Sequence, residues 1–292
     1  MNDLYIIAIG SLIAASCALL GCFLVLRKMA LIGDAISHAV LPGIVVAYLF
    51  TGSRDSFIMI LGAGTIGLLT TFLIEFLHRK ARLQEDASIG VIFTTLFALG
   101  VILISYYAEN IDLDQDCVLY GEIALAPLDT WVLPSGFDMG PRTFWIGLIM
   151  LILVVFFILL GYKELFLTTF DPSYAASIGI SVTLWHYLLM GMVSFTTVAS
   201  FEAVGAILVV AFLVAPASTA YLLTDQINKM LLISVLAGIL AAAGGYFLAL
   251  WLDASIAGGM STVAGIEFML ALFLSPSQGI LMKKLKLKVK NV

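Results

Sequence analysis

Residues 4–26 read LYIIAIGSLIAASCALLGCFLVL, a run without a single charged side chain. An α-helix rises about 1.5 Å per residue, so roughly 20 apolar residues cross the ~30 Å hydrocarbon core of a bilayer. The run is long enough to span. It also exceeds the roughly 7–15 residues of a signal-peptide core and has no basic region before it, which predicts a retained first span rather than a cleaved leader. Working outward, stretches of the same kind recur at 30–50, 57–77, 88–107, 143–162, 182–200, 203–223, 230–252 and 262–282. The expected fold is all-α and integral to the membrane. It is a polytopic bundle of about eight to nine transmembrane helices in one domain over residues 1–292. In the second stretch Asp34, Ser37, His38 and Pro42 interrupt the apolar pattern, so this span is predicted to be broken or partly re-entrant.

Composition closes off the soluble alternatives. Hydrophobic residues make up 62% of the chain and charged residues 11%, with a mean hydropathy of +1.12. Soluble domains carry about 25% charged residues, and no soluble core could absorb this much apolar surface. The net charge of −5 is concentrated in loops, so lipid is the expected surrounding and nucleic acid is not an expected partner. Cys17, Cys22 and Cys117 are odd in number and include no zinc-type CxxC pair, which argues against a disulfide framework.

The basic residues predict orientation. With the N-terminus outside, Arg27, Lys28, Arg79, Lys80, Arg82, Lys163, Lys229, Lys283, Lys284, Lys286, Lys288 and Lys290 all fall on the inner side, and only Arg54 and Arg142 lie outside. A cytoplasmic C-terminus with a basic tail at 283–292 follows. Residues 109–141 then form an acidic extracytoplasmic loop carrying Glu109, Asp112, Asp114, Asp116, Glu122, Asp129 and Asp138. This loop could attract cations or a basic partner, or simply be solvated. On the inner side, residues 171–180 read DPSYAASIGI, in which Asp171 caps, Pro172 opens and Gly179 closes a short helix. Too short to cross and too rich in small residues to anchor in lipid, it predicts a docking element.

Ionisable side chains within spans cost about 2.5–3.5 kcal/mol on insertion scales, so each carries a functional question. Asp34 and His38 stand at i and i+4, on one helix face, where a carboxylate and an imidazole can converge on one cation. That donor set suits Mn²⁺, Fe²⁺ or Zn²⁺. The competing reading is that Asp34 only holds His38, or that both satisfy backbone groups freed by Pro42. Glu202 is placed at the outer end of the seventh span and Glu267 about a turn and a half into the ninth; either could complete a site or an entry path, and an interfacial carboxylate is the simpler reading. His78 lies among basic boundary residues, and His186 beside Trp185 and Tyr187 reads as part of an aromatic belt; neither is a predicted ligand. The sequence has no GxxxxGK[ST] phosphate loop, no HExxH and no assemblable Ser-His-Asp or Cys-His set, so the chain is not expected to be an enzyme.

Four segments carry a resemblance over almost the whole chain: MALIGDAISHAVLPG at 29–43, EDASIG at 85–90, DPSYAASIGI at 171–180 and VGAILVVAFLVAPASTA at 204–220. The chain resembles the permease subunits of bacterial ATP-binding-cassette importers for manganese, zinc and iron. The resemblance implies that Asp34 and His38 meet the metal in the translocation path. It also implies that residues 171–180, with Asp171, Pro172, Ala175, Ala176 and Gly179, form the coupling helix. The expected partners are a cytoplasmic ATP-binding subunit, an extracytoplasmic metal-binding protein and a second permease chain, identical or related. The expected location is the bacterial cytoplasmic membrane. No tightly bound cofactor is implied, only the transported Mn²⁺, Fe²⁺ or Zn²⁺, and the run DLDQDCVLYGE at 112–122 looks more like the manganese and iron branch. A gradient-driven transporter or channel, or a permease for a metal chelate such as a siderophore or cobalamin, are the rival classes.

Overall fold

The computed structural model describes residues 2–51, 56–81, 83–107, 123–132 and 138–275. Of the predicted acidic loop 109–141, residues 109–122 and 133–137 lie outside them, as does the basic tail 283–292. In chain order the helices are α1 (Asn2–Leu26), α2 (Leu31–Ala39), α3 (Leu41–Thr51), α4 (Ser56–Ala81), α5 (Glu85–Tyr107), α6 (Arg142–Leu160), α7 (Tyr162–Phe170), α8 (Pro172–Ser177), α9 (Val182–Leu223), α10 (Ile227–Leu252) and α11 (Ile256–Leu274). Among the described residues, 9 segments are long and apolar enough to cross a membrane, so the chain is a helical polytopic membrane protein. Between α5 and α6 lie a 3₁₀ turn (Ala126–Leu128) and the antiparallel strands β1 (Thr130–Val132) and β2 (Asp138–Pro141). The turn is packed rather than simply solvated: Ile123 and Ala126 are buried, and Thr143 donates to the Ala126 carbonyl.

α1 is the axis of the bundle, packed against α6, α9 and α10. Its small residues set those contacts, because lipid offers no hydrophobic drive between helices and close backbone approach takes its place. Gly10 faces Met260 and Ala242, Ala14 faces Gly238, and a Cβ at Gly21 would stand 1.9 Å from the Leu213 carbonyl oxygen. One end of the bundle, the basic end, carries Arg27, Lys28, Lys80, Lys163 and Lys229, brought together where Arg27 meets Thr168 and lines a cavity with His78, and Tyr162 meets Asn228. The ring of Tyr5, packed on Phe144, and the β1–β2 pair mark the opposite end.

The sixth and seventh predicted spans, 182–200 and 203–223, are the two legs of one element. α9 runs 42 residues, which at about 1.5 Å each is roughly twice the hydrocarbon thickness. Gly205, at φ 77° and ψ 164°, breaks it in a region of backbone space open almost only to glycine. The first leg starts beside Arg27, where His186 shares a cavity with it, and climbs to Ala199 and Ser200, which share a cavity with Ile13 and Ser16. The second leg returns so that Leu213 and Ala217 meet Gly21. The reversal therefore sits within the length of α1 and not in a loop beyond it. Phe201, Ala203, Val204 and Ala206 are all buried, which is the condition for irregular backbone at that depth.

The ninth span is displaced. Sequence reading puts it at 262–282, whereas α11 occupies Ile256–Leu274 and opens on Ser255, whose hydroxyl accepts from Gly258 N. The cause is packing: a Cβ on Gly259 would stand 2.5 Å from the Gly245 carbonyl oxygen, so the small residues that dilute hydropathy there belong inside a close α10–α11 contact. Glu267 consequently lies mid-helix, with Oε2 buried, and not near a helix end.

Candidate metal centre

The second span is broken as expected, at Val40. Pro42 has no N–H to give the His38 carbonyl, and the Gly43 and Ile44 amides both bond to the Val40 oxygen, at 2.9 and 3.2 Å. The two pieces still add up to a span, Leu31–Thr51. α2 wedges between α4, α5 and α9, and its buried side is made by Ile32, Gly33, Ala35, Ile36, Ser37 and Ala39. Gly33 lies against Leu213, and Ile36 fits where Gly67 has no side chain.

Asp34 and His38 project from the other side of α2 and are brought together. His38 Nε2 lies 3.5 Å from Asp34 Oδ1, with side-chain exposures of 33% and 46%. Metal–ligand bonds of about 2.0–2.2 Å put neighbouring donors roughly 3–3.6 Å apart, so both atoms can reach one ion without rearrangement. The aromatic rings of Phe93 and Phe97 on α5 stand 5.7 and 6.2 Å from the His38 ring. They fix the imidazole from one side and make that side of the site apolar. Among the described residues no three His, Cys, Asp or Glu side chains stand together as a metal set. One chain thus brings together two candidate donors, the Asp34 carboxylate and the His38 imidazole, each still part-exposed.

The short helix α8 forms as its sequence demands. Asp171 Oδ1 accepts from Tyr174 N at 2.9 Å, Pro172 occupies the first turn, and Gly179 takes φ 87° to end it. The structure separates the two alanines that the sequence treats alike. Ala175 is fully buried and holds α8 to the bundle, whereas Ala176 is exposed beside Tyr174 and Ile178, at 53% and 46%. α7, which reads as plain connection in the sequence, is a helix. It is tied to the end of α1 by Arg27, which donates to Thr168 Oγ1 at 2.9 Å and Thr169 Oγ1 at 3.0 Å. Burial pulls the Arg27 pKa down to about 10, still well above neutrality.

His186 departs from its reading as part of an aromatic belt: it is largely buried and lies 3.7 Å from Glu75 of α4. Glu75 sits inside a span and is open to the same question that singles out Asp34, but no spacing links it to a residue far along the chain. Cys17 and Cys22 are buried free thiols, and Cys22 Sγ donates to Ser234 Oγ at 3.2 Å. The side chain of Glu202 lies outside the described residues.

The fold is that of a helical polytopic membrane protein, and comparison with known proteins gives its family. Residues 4–275 match the family model described as the ABC 3 transport family, and the chain belongs to that family. It is 51% identical over 284 residues to the manganese transport system membrane protein MntD of Bacillus subtilis, covering 97% of this chain and 96% of that one. It is 42% identical over 289 residues to the zinc transport system membrane protein TroD of Treponema pallidum, covering 97% and 77%. Among solved structures, PsaBC from Streptococcus pneumoniae in complex with Fab superposes with a TM-score of 0.78 at 29% identity, covering 97% of this chain and 94% of that one.

Proposed function

We propose that this chain is the multi-pass permease subunit of an ATP-driven importer of divalent transition-metal ions in the bacterial cytoplasmic membrane. Manganese is the favoured cargo, then iron or zinc. The observation that carries the reading is the Asp34–His38 pair on a proline-broken helix, in a chain that belongs to the ABC 3 transport family. Carboxylate plus imidazole is the borderline donor set for Mn²⁺, Fe²⁺ and Zn²⁺. Two ligands with an open face suit a pathway, which must strip water from the ion yet release it.

The basic end faces the cytoplasm in this reading, by the positive-inside rule. There, exposed Ala176, Tyr174 and Ile178 form the surface on which a separate ATP-binding subunit docks, and Asp171, Pro172, Ala175 and Gly179 hold that surface in shape. Hydrolysis belongs to that partner. An extracytoplasmic metal-binding protein delivers the ion to the opposite end, and a second permease chain completes the pore.

The test is ATP-dependent uptake of Mn²⁺, Zn²⁺ and Fe²⁺ into vesicles that hold this chain with its ATP-binding subunit and binding protein. Wild type accumulates at least one of the three, and Asp34→Ala or His38→Ala abolishes uptake while expression and insertion stay normal. Uptake without ATP would move the chain to the gradient-driven class. Full uptake by both variants, with a bulky metal chelate as the transported species, would make it a chelate permease.

A further inference from the structure

Among the described spans α1 is the most deeply buried, yet one stripe of it is left uncovered. α6 and α10 both pack on α1 and leave between them an open groove of about 560 Å³. Ala8, Ala15 and Leu19 of α1 form its floor, with Val155 of α6 and Leu232 of α10 in its walls, and apart from Ser11 every residue lining it is apolar. At about 1.5 Å per residue the floor from Ala8 to Leu19 is about 17 Å long, roughly half the ~30 Å hydrocarbon core and so the depth of one leaflet. The helices that carry and flank Asp34 and His38, α2 to α5, pack on one another and on α9, whereas α6 and α10 pack on α1 and α9. The groove therefore belongs to a different face from that pair.

Beyond the groove, toward the basic end, the Tyr162 hydroxyl at the start of α7 donates to Asn228 Oδ1 at the start of α10, one turn before Leu232. Each member of this contact is followed in the chain by a lysine, Lys163 and Lys229, and both lysines are exposed. Among the described residues neither lysine is in an ion pair, and Glu164 and Asp225, the acids nearest to them in sequence, do not reach them. Tyr162, Phe166 and Phe170 form a row along α7, with ring centroids 6.3 and 4.8 Å apart. Aromatic rows of this kind sit at headgroup depth. Two unpaired cations at that depth, beside an apolar groove as long as a leaflet is deep, complement a lipid with a net negative headgroup. A zwitterionic lipid brings its own cation to the same place and gains less.

We propose that this groove is a binding site for one anionic phospholipid from the leaflet at the basic end. The phosphate lies against Lys163 and Lys229, and one acyl chain runs up the groove over Leu19 and Ala15 toward Ala8. Occupied, the site ties α6 and α7 to α10 beside the Tyr162–Asn228 contact, and so braces the segment that leads into α8. It goes beyond the importer reading and rests only on the placement of the bundle in a bilayer, so its test needs neither metal nor transport.

Full-length protein, stripped of lipid in detergent, is titrated with phosphatidylglycerol and with phosphatidylcholine of the same acyl chains, and bound lipid is counted by native mass spectrometry. Wild type is expected to hold one phosphatidylglycerol per chain roughly tenfold more tightly than phosphatidylcholine, the difference that two unpaired lysines make. Lys163→Gln with Lys229→Gln, both on the surface, should abolish that preference while the melting temperature without lipid stays that of wild type. Ala15→Phe fills the floor and should abolish retention of either lipid. Equal affinity of wild type for the two lipids, or a preference that survives loss of both lysines, overturns the proposal. Phosphatidylglycerol with a diazirine in its tail locates the chain even where Ala15→Phe misfolds. Its crosslinks are expected on the α1, α6 and α10 peptides that line the groove, and crosslinks confined elsewhere count against the site. With the native cysteines replaced, a disulfide between two copies of Leu232→Cys in membranes would give the groove to a second chain and remove the lipid from it.

Discussion

At the scale of single residues, the same chemistry does different work according to what surrounds it. Asp34 and His38 share a helix face that α5 covers only in part, so they stay open to an ion; Glu75 and His186 meet across two helices and are largely buried. Gly205 is the residue on which the path of α9 turns. Its φ of 77° and ψ of 164° admit glycine and penalise any Cβ by about 1–3 kcal/mol. Gly205→Ala should therefore lower the thermal unfolding temperature in detergent. Gly265→Ala, in the same kind of helix but with nothing within 4 Å of the new Cβ, should leave that temperature unchanged or slightly raised. Equal melting of the two variants would mean that the reversal does not depend on the glycine.

At the scale of elements, α8 shows how much a short segment depends on its ends. With only 6 residues it cannot hold itself as a helix in water, and its N-cap, first-turn proline and left-handed closing glycine supply what length does not. Asp171→Ala removes the bond to Tyr174 N and should cost about 1 kcal/mol of local stability, measured as faster amide exchange across 172–178. The alanines give a sharper contrast. Ala176→Glu adds a charge to the exposed face and should prevent capture of the ATP-binding subunit while the permease melts normally. Ala175→Glu forces a carboxylate into a fully buried position and should lower the melting temperature of the permease itself. Normal partner capture by Ala176→Glu would remove this face from the docking surface. Helicity at 171–178 was legible from Asp171, Pro172 and Gly179, because caps are local chemistry. The different burial of two adjacent alanines was not, because it depends on α7 and α9.

At the scale of the whole molecule, the clustering of Arg27, Lys28, Lys80, Lys163 and Lys229 at one end predicts which side each loop faces. With Cys17, Cys22 and Cys117 replaced, a single cysteine at Lys229 should react with an impermeant maleimide only after the cells are opened, and one at Arg142 in intact cells. Reversed labelling would invert the topology and put the docking helix outside, where no ATP-driven partner could reach it. The bundle itself is held by close backbone approach: Gly21 against Leu213, Gly43 against Gly62 and Gly245 against Gly259 leave no room for a larger side chain.

What the sequence determined alone was whatever the bilayer demands locally: apolar length for each span, the break just before Pro42, the caps of α8, and the i, i+4 placement of Asp34 and His38. Each follows from hydrocarbon thickness, from a missing amide hydrogen or from helical periodicity, none of which needs knowledge of a neighbour. Only the tertiary structure decided that α9 reverses within the bundle, that α11 begins at Ile256 and that Ala175 faces inward. It also decided that Glu75 finds His186. These depend on which helices pack together, and in lipid that choice is made by shape between small residues far apart in the chain, which hydropathy does not encode.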